Sequence, residues 1–115
     1  MSYKVAFASS DGKVVNQHFG RAKHFLIVEV EDKDYKYIET RVNEPACQDF
    51  QHTQDALEKS LELISDCKAI FVLQIGKGAL SIVEAKGIKC IEAPYFIEDI
   101  LEKILNSKVN IFDIY

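Results

Sequence analysis

Six side chains in this 115-residue chain could ligate a soft or borderline metal: His18, His24, His52, Cys47, Cys67 and Cys90. Neutral imidazole and thiolate are the ligands such metals take. No CxxC pair occurs, and three cysteines cannot make a four-thiolate zinc or iron–sulfur site. His18 stands out by its neighbours. In "VVNQHFGRAKHFLIVEV", residues 14–30, it lies in an expected loop two residues before Gly20, whose missing side chain lets backbone approach a ligand. Taken alone, a loop histidine more often faces solvent without a partner. His24 opens a strand-like run and reads as structural. Cys47 and His52 share "NEPACQDFQH", residues 43–52, a segment with a proline and no hydrophobic period. That is a loop, and it is long enough to be functional. Cys67 and Cys90 border or enter apolar runs, where a thiol serves as a small packing group.

The remaining chemical candidate is "QIGKGA", residues 74–79, where an apolar run meets two glycines and a helix begins. A helix N-terminus offers unpaired N–H groups to an anion. The spacing is only GxG, without the third glycine of a dinucleotide fingerprint or the Lys-Ser/Thr of a P-loop, and a tight strand-to-helix turn explains it equally well. Enzymatic constellations are not encoded recognisably. There is no strained nucleophile elbow, and the first strand ends in "FASSD" with Asp11 alone, in a turn, where a two-metal nuclease would need several carboxylates.

The elements that would position these residues follow from periodicity. "YKVAFAS", residues 3–9, reads as a strand followed by an Asp11-Gly12 turn of the kind that takes positive φ. Val14 and Val15 form a short return strand or none. "HFLIVEVE", residues 24–31, and "YKYIETRV", residues 35–42, are strands joined by a polar hairpin loop, the second with Tyr35 and Tyr37 or Ile38 inward. After residue 52 the period becomes 3.6. Leu57, Leu61 and Ile64 mark a helix, widened by Ala56 and Leu63 and with Thr53 as its N-cap. "KAIFVLQI", residues 68–75, is a strand covered on both faces. A short helix follows with Ala79, Ile82 and Val83 inward and Gly87 as terminator; then comes the strand "IKCIEA", residues 88–93. "PYFIEDILEKILNS" is an amphipathic helix with Ile97, Ile100, Leu101, Ile104 and Leu105 on one face. The expected order is βββαβαβα. It makes an α/β mixed β-sheet, an antiparallel N-terminal meander and parallel C-terminal strands, flanked by helices. The tail "VNIFDIY", residues 109–115, is apolar enough to dock on the domain or on a partner.

A chain of this length fits one domain, residues 1–115, with a core that needs no disulfide. Its 48% hydrophobic and 28% charged residues are those of a folded globular protein. The net charge of -4 offers a phosphate backbone no broad cationic surface, so nucleic acid is excluded as a partner class. "MSYKVAFASS" has no leader pattern, and no stretch approaches the roughly 20 apolar residues that span a bilayer. With unpaired cysteines, the expectation is a cytoplasmic protein with no membrane partner.

The strand, "SSDGKVVNQHFGRAKHFLIVEV", the cysteine-containing loop and "LISDCKAIFVLQIGKGALSIVEAKGIKCIEA" together resemble the dinitrogenase iron-molybdenum cofactor biosynthesis family. The resemblance runs from about Lys4 to Leu105, and "HFGRA", "DC" and "IGKGA" are its most specific elements. It implies a ribonuclease-H-like three-layer fold without nuclease residues, and a non-enzymatic role. The protein would hold the iron-molybdenum cofactor or its iron–sulfur precursor and pass it between cluster-synthesising and cluster-accepting nitrogenase assembly proteins. Carried over, the site is His18, Phe19, Gly20 and Arg21 of "HFGRA", the loop cysteine Cys47, and the turn glycines Gly76 and Gly78. His18 and Cys47 would be the metal ligands. At residues 48–52 "QDFQH" stands where the family tends to have glycines. Two alternatives remain open: a general iron–sulfur or anion-binding module, and a cluster-free scaffold that forms a homodimer through its apolar tail.

Overall fold

A computed structural model of the chain describes residues 2–43 and 53–106. Strands β1 (Tyr3–Ala8), β2 (His24–Val30), β3 (Tyr35–Val42), β4 (Cys67–Val72) and β5 (Lys89–Glu92) form one sheet, ordered β3-β2-β1-β4-β5. β2 is antiparallel to β1 and β3, whereas β1, β4 and β5 run parallel. The short polar loop after β2 allows only an antiparallel return. β4 and β5 are joined through a helix, the connection that parallel pairing requires. The helices are α1 (Thr53–Leu63), α2 (Lys77–Ala85) and α3 (Ile97–Asn106). Among the described residues no helix is long and apolar enough to cross a membrane.

Alternation along the strands builds two cores. Val5, Phe7, Val28, Val30, Ala69 and Phe71 face α3, which presents Ile97, Ile100, Leu101 and Ile104. Ala6, Ala8, Phe25, Ile27, Ile70 and Val72 face the other way, onto Leu61 and Ile64 at the end of α1 and Val83 of α2. β4 thus feeds both layers, as its unbroken apolar run predicts. Phe7 and Phe71 are paired across β1 and β4 and stack with centroids 5.0 Å apart. Each is fully buried, and burial of a side chain of this size contributes about 2–3 kcal/mol.

Asp66, of the "DC" pair, locks the start of β4. Its carboxylate accepts two hydrogen bonds from Arg41 at 2.7 and 2.9 Å and one from Lys4 at 3.3 Å. Arg41 also donates to Glu39 and to the Leu63 carbonyl, so one guanidinium joins β3 to the end of α1 and the start of β4. The Arg41 pairing holds the Asp66 carboxyl far below its usual range and raises the guanidinium further.

Several sequence expectations change. Val14 and Val15 make no return strand: Val14 forms an isolated bridge with Phe96, and the Val15 N–H donates to the Tyr95 carbonyl at 3.0 Å. β4 stops at Val72 rather than Ile75, because the Leu73 N–H turns to the Gln17 carbonyl. Ile82 is 37% exposed, since the short α2 packs through Val83 with Ala79 and Leu80. In β3 a register shift opposite Ile27 and Val28 accompanies the split of its side chains: Tyr35 packs with the α3 layer, Ile38 with the other, and Tyr37 stays out. The tail 109–115 lies outside the described residues.

Candidate functional site

Parallel β1 and β4 leave the sheet at one edge, and the loop after β1 is built across that edge. Its first turn is closed by side chains. Ser9, fully buried, accepts the Gly12 N–H at 3.0 Å, and Asp11 accepts the N–H groups of Lys13 and Val14 at 2.9 and 3.2 Å. Those two N–H groups, first of all, lower the Asp11 pKa. Gly12 takes φ 75°, which a side chain would strain. Asn16 then clamps Ser10 through a bond to its N–H and one from its own amide to the hydroxyl.

The next residues are stitched to two strand ends. The N–H groups of Asn16 and Gln17 donate to the Ala8 carbonyl, the Gln17 carbonyl accepts from Leu73, and the Phe19 N–H donates to the Gln74 carbonyl at 2.9 Å. His18 sits between these ties with its side chain exposed. It is the residue before a short 3₁₀ turn, Phe19–Arg21, closed by the Arg21 N–H on the His18 carbonyl at 3.1 Å. Within "HFGRA" the roles divide. Arg21 is exposed and Gly20 partly so, but Phe19 is 1% exposed and packs against Phe25, with centroids 6.1 Å apart. Phe19 therefore anchors the loop, and its ring faces the core instead of the site.

The Phe19–Gln74 bond sets this loop beside the turn before α2. Gly76 caps α2 with extended backbone (φ −71°), and the Leu80 N–H on its carbonyl opens the helix. The turn is held from below by the Ile75 N–H on Glu92 at 3.0 Å. Neither Gly76 nor Gly78 has a positive φ, and a Cβ at either would meet nothing within 4 Å. Neither backbone strain nor close packing accounts for glycine here. What the glycines do is leave the N-terminal N–H groups of α2 uncovered.

The root of the Cys47 loop is fixed to the same region. Asn43 is buried; its N–H donates to Lys23, its amide to the Ala22 carbonyl at 2.9 Å, and its side-chain oxygen accepts from Ser60 at 3.1 Å. Cys47 and His52 themselves lie outside the described residues. Cys67 and Cys90 are buried and free, with thiols pushed up to about 12 chiefly by burial and then by Asp66 beside Cys67 and by Glu92 beside Cys90. Such thiols stay protonated and are poor ligands. His24 is half-buried at the start of β2, beside a small hollow with Ser9 and Asp11. Among the described residues no three His, Cys, Asp or Glu side chains gather to hold a metal ion. Asn43, Ser60 and Glu92 carry no local signal, because the bonds Asn43–Ala22, Ser60–Asn43 and Ile75–Glu92 join residues distant in the chain.

The family model for the dinitrogenase iron-molybdenum cofactor matches residues 1–107. The chain belongs to this family. Members of the dinitrogenase iron-molybdenum cofactor family similar to it include the FeMo cofactor biosynthesis protein NifB of Frankia alni, 33% identical over 102 residues. That match covers 86% of this chain but 19% of NifB, so the chain spans about a fifth of that relative. Protein NifX of Azotobacter vinelandii is 32% identical over 89 residues, 77% of this chain and 55% of NifX. The crystal structure of PH0822 superposes with a TM-score of 0.68 at 23% identity, covering 96% of this chain and 97% of that one, which shows a shared fold.

Proposed function

We propose that this protein serves nitrogenase cofactor assembly as a non-catalytic carrier of the iron-molybdenum cofactor or its iron–sulfur precursor. The observation that carries this reading is the stitching of the "HFGRA" loop to the end of β4. It presents exposed His18 and Arg21 beside the open glycine turn of α2. A transferable cargo should be held by few exchangeable ligands. One imidazole, a guanidinium and uncovered helix N–H groups make such a set for an anionic cluster.

Cys47 is the second ligand in this reading. The Asn43 clamp roots its loop at Ala22 and Lys23, and four residues reach at most about 14 Å. In the "HFGRA" loop Gly20 adds no side chain beside His18, and Phe19 anchors the loop through the core. The absence of catalysis is supported by what the obvious groups are doing: Asp11 is engaged by turn N–H groups, and Cys67 and Cys90 are buried and protonated. Residues 1–115 act as one domain of ribonuclease-H-like type, and work in the cytoplasm with the assembly proteins that make and accept the cluster. The test is anaerobic mixing of the purified protein with isolated cofactor or precursor, then gel filtration with iron and molybdenum analysis. Metal co-eluting with the protein supports the reading; metal-free protein contradicts it.

A further inference from the structure

The two faces of the sheet are covered unequally. Among the described residues α1 and α2 pack on one face, whereas α3 alone packs on the other. Beside α3 this leaves a groove of about 720 Å³ over β2 and β3, walled by Leu26, Val28, Tyr35, Tyr37, Phe96 and Leu101. The volume is that of a site for a few side chains, well short of a seat for a folded partner. Tyr37 and Phe96 are 57% and 59% exposed, among the most exposed large apolar residues described. An apolar trough of this kind signals an occupant.

We propose that the occupant is the chain's own C-terminal segment, residues 107–115, folded back into the groove in cis. Two observations select it. The segment, "SKVNIFDIY", places Val109, Ile111, Phe112, Ile114 and Tyr115 among only four other residues. It also starts where the groove can be reached: Asn106 ends α3, and Leu101, on the groove wall, lies one and a half turns earlier, about 7.5 Å along the axis. From Asn106 the segment can extend roughly 30 Å, more than enough to turn and run the length of the trough. A tethered segment so close competes at high effective concentration against any segment from another molecule. The far end of the groove is lined by Gly12 and Lys13, in the loop that goes on to His18, so the docked segment braces the candidate site from behind.

The chain has no tryptophan, which makes a single indole a clean reporter. Phe112→Trp in the full chain should emit blue-shifted fluorescence, protected from a soluble quencher, and unchanged over a hundredfold range of protein concentration. Adding Tyr37→Lys, at a position exposed enough to spare the fold, should return the emission to that of a solvated indole while the circular dichroism stays native. Solvated emission in Phe112→Trp itself would overturn the proposal, as would indifference to Tyr37→Lys. Blue-shifted emission that fades on dilution would overturn it in favour of a second copy in the groove.

Discussion

Two glycines, Gly78 in the first turn of α2 and Gly87 just past its end, lie in equally open surroundings, yet their replacement should have opposite effects. At Gly78 and Gly87 alike, an added Cβ meets nothing within 4 Å. Gly87, however, takes φ 82° just past the end of α2, with its N–H on the Glu84 carbonyl and that of Ile88 on Val83. Alanine there stabilises nothing and strains the backbone by about 1 kcal/mol. Gly78 lies in the first turn of α2 with no positive φ, so Gly78→Ala removes unfolded-chain entropy and adds helix propensity, about 0.5 kcal/mol in favour of the fold. Thermal unfolding should show Gly78→Ala melting about 2–4 °C higher and Gly87→Ala about 4–8 °C lower. If the turn receives the cluster, the Gly78 methyl stands in its path, and retention should fall about tenfold, equivalent to about 1.4 kcal/mol, despite the higher stability. A less stable Gly78→Ala would refute the open-turn geometry. A more stable variant with full cluster retention would refute the role given to the glycine.

Asn43→Ala should unfold at lower urea, losing about 1–3 kcal/mol, because the Ala22 carbonyl loses the side-chain amide bound to it and Ser60 loses its hydrogen bond to Asn43; a loss under 0.5 kcal/mol contradicts the clamp. For Asp66 the folded pKa is depressed, first by Arg41. Its contribution is complete above the unfolded value near 3.9 and disappears as pH falls below it. Because the pair is partly exposed it amounts to about 1 kcal/mol, and Asp66→Asn should flatten that part of the urea-midpoint profile between about pH 5 and pH 2; an unchanged acid slope would count against it. In a Cys47→Ser chain at pH 8, Cys67 and Cys90 should resist a thiol reagent until urea is added, since both thiols are buried and raised to about 12; prompt reaction of the folded chain would contradict their burial.

What could be read from the sequence was what local periodicity encodes. The unbroken run that became β4 and the 3.6-residue stripe of α3 announced themselves, and Asp11-Gly12 supplied the expected positive φ. Features fixed by contacts across the chain were silent. Val14 pairs with Phe96, and Arg41 binds Asp66, with nothing in the neighbouring residues to suggest either. At the site, motif and exposure diverged: "HFGRA" reads as one recognition element, yet the fold buries Phe19 as an anchor and exposes His18 and Arg21 on either side of it. The glycines of "IGKGA" were ambiguous between a tight turn and an anion cradle until the geometry showed that no strain or crowding demanded them.

The central claim is that His18, and not the neighbouring His24, holds the cargo. Both single alanine variants should be purified anaerobically, mixed with the isolated iron-molybdenum cofactor or its precursor, and passed through gel filtration beside the parent chain. Iron is expected in the protein peak for the parent and His24→Ala, and its loss for His18→Ala with the fold intact by circular dichroism. Equal iron in the two variants would contradict it.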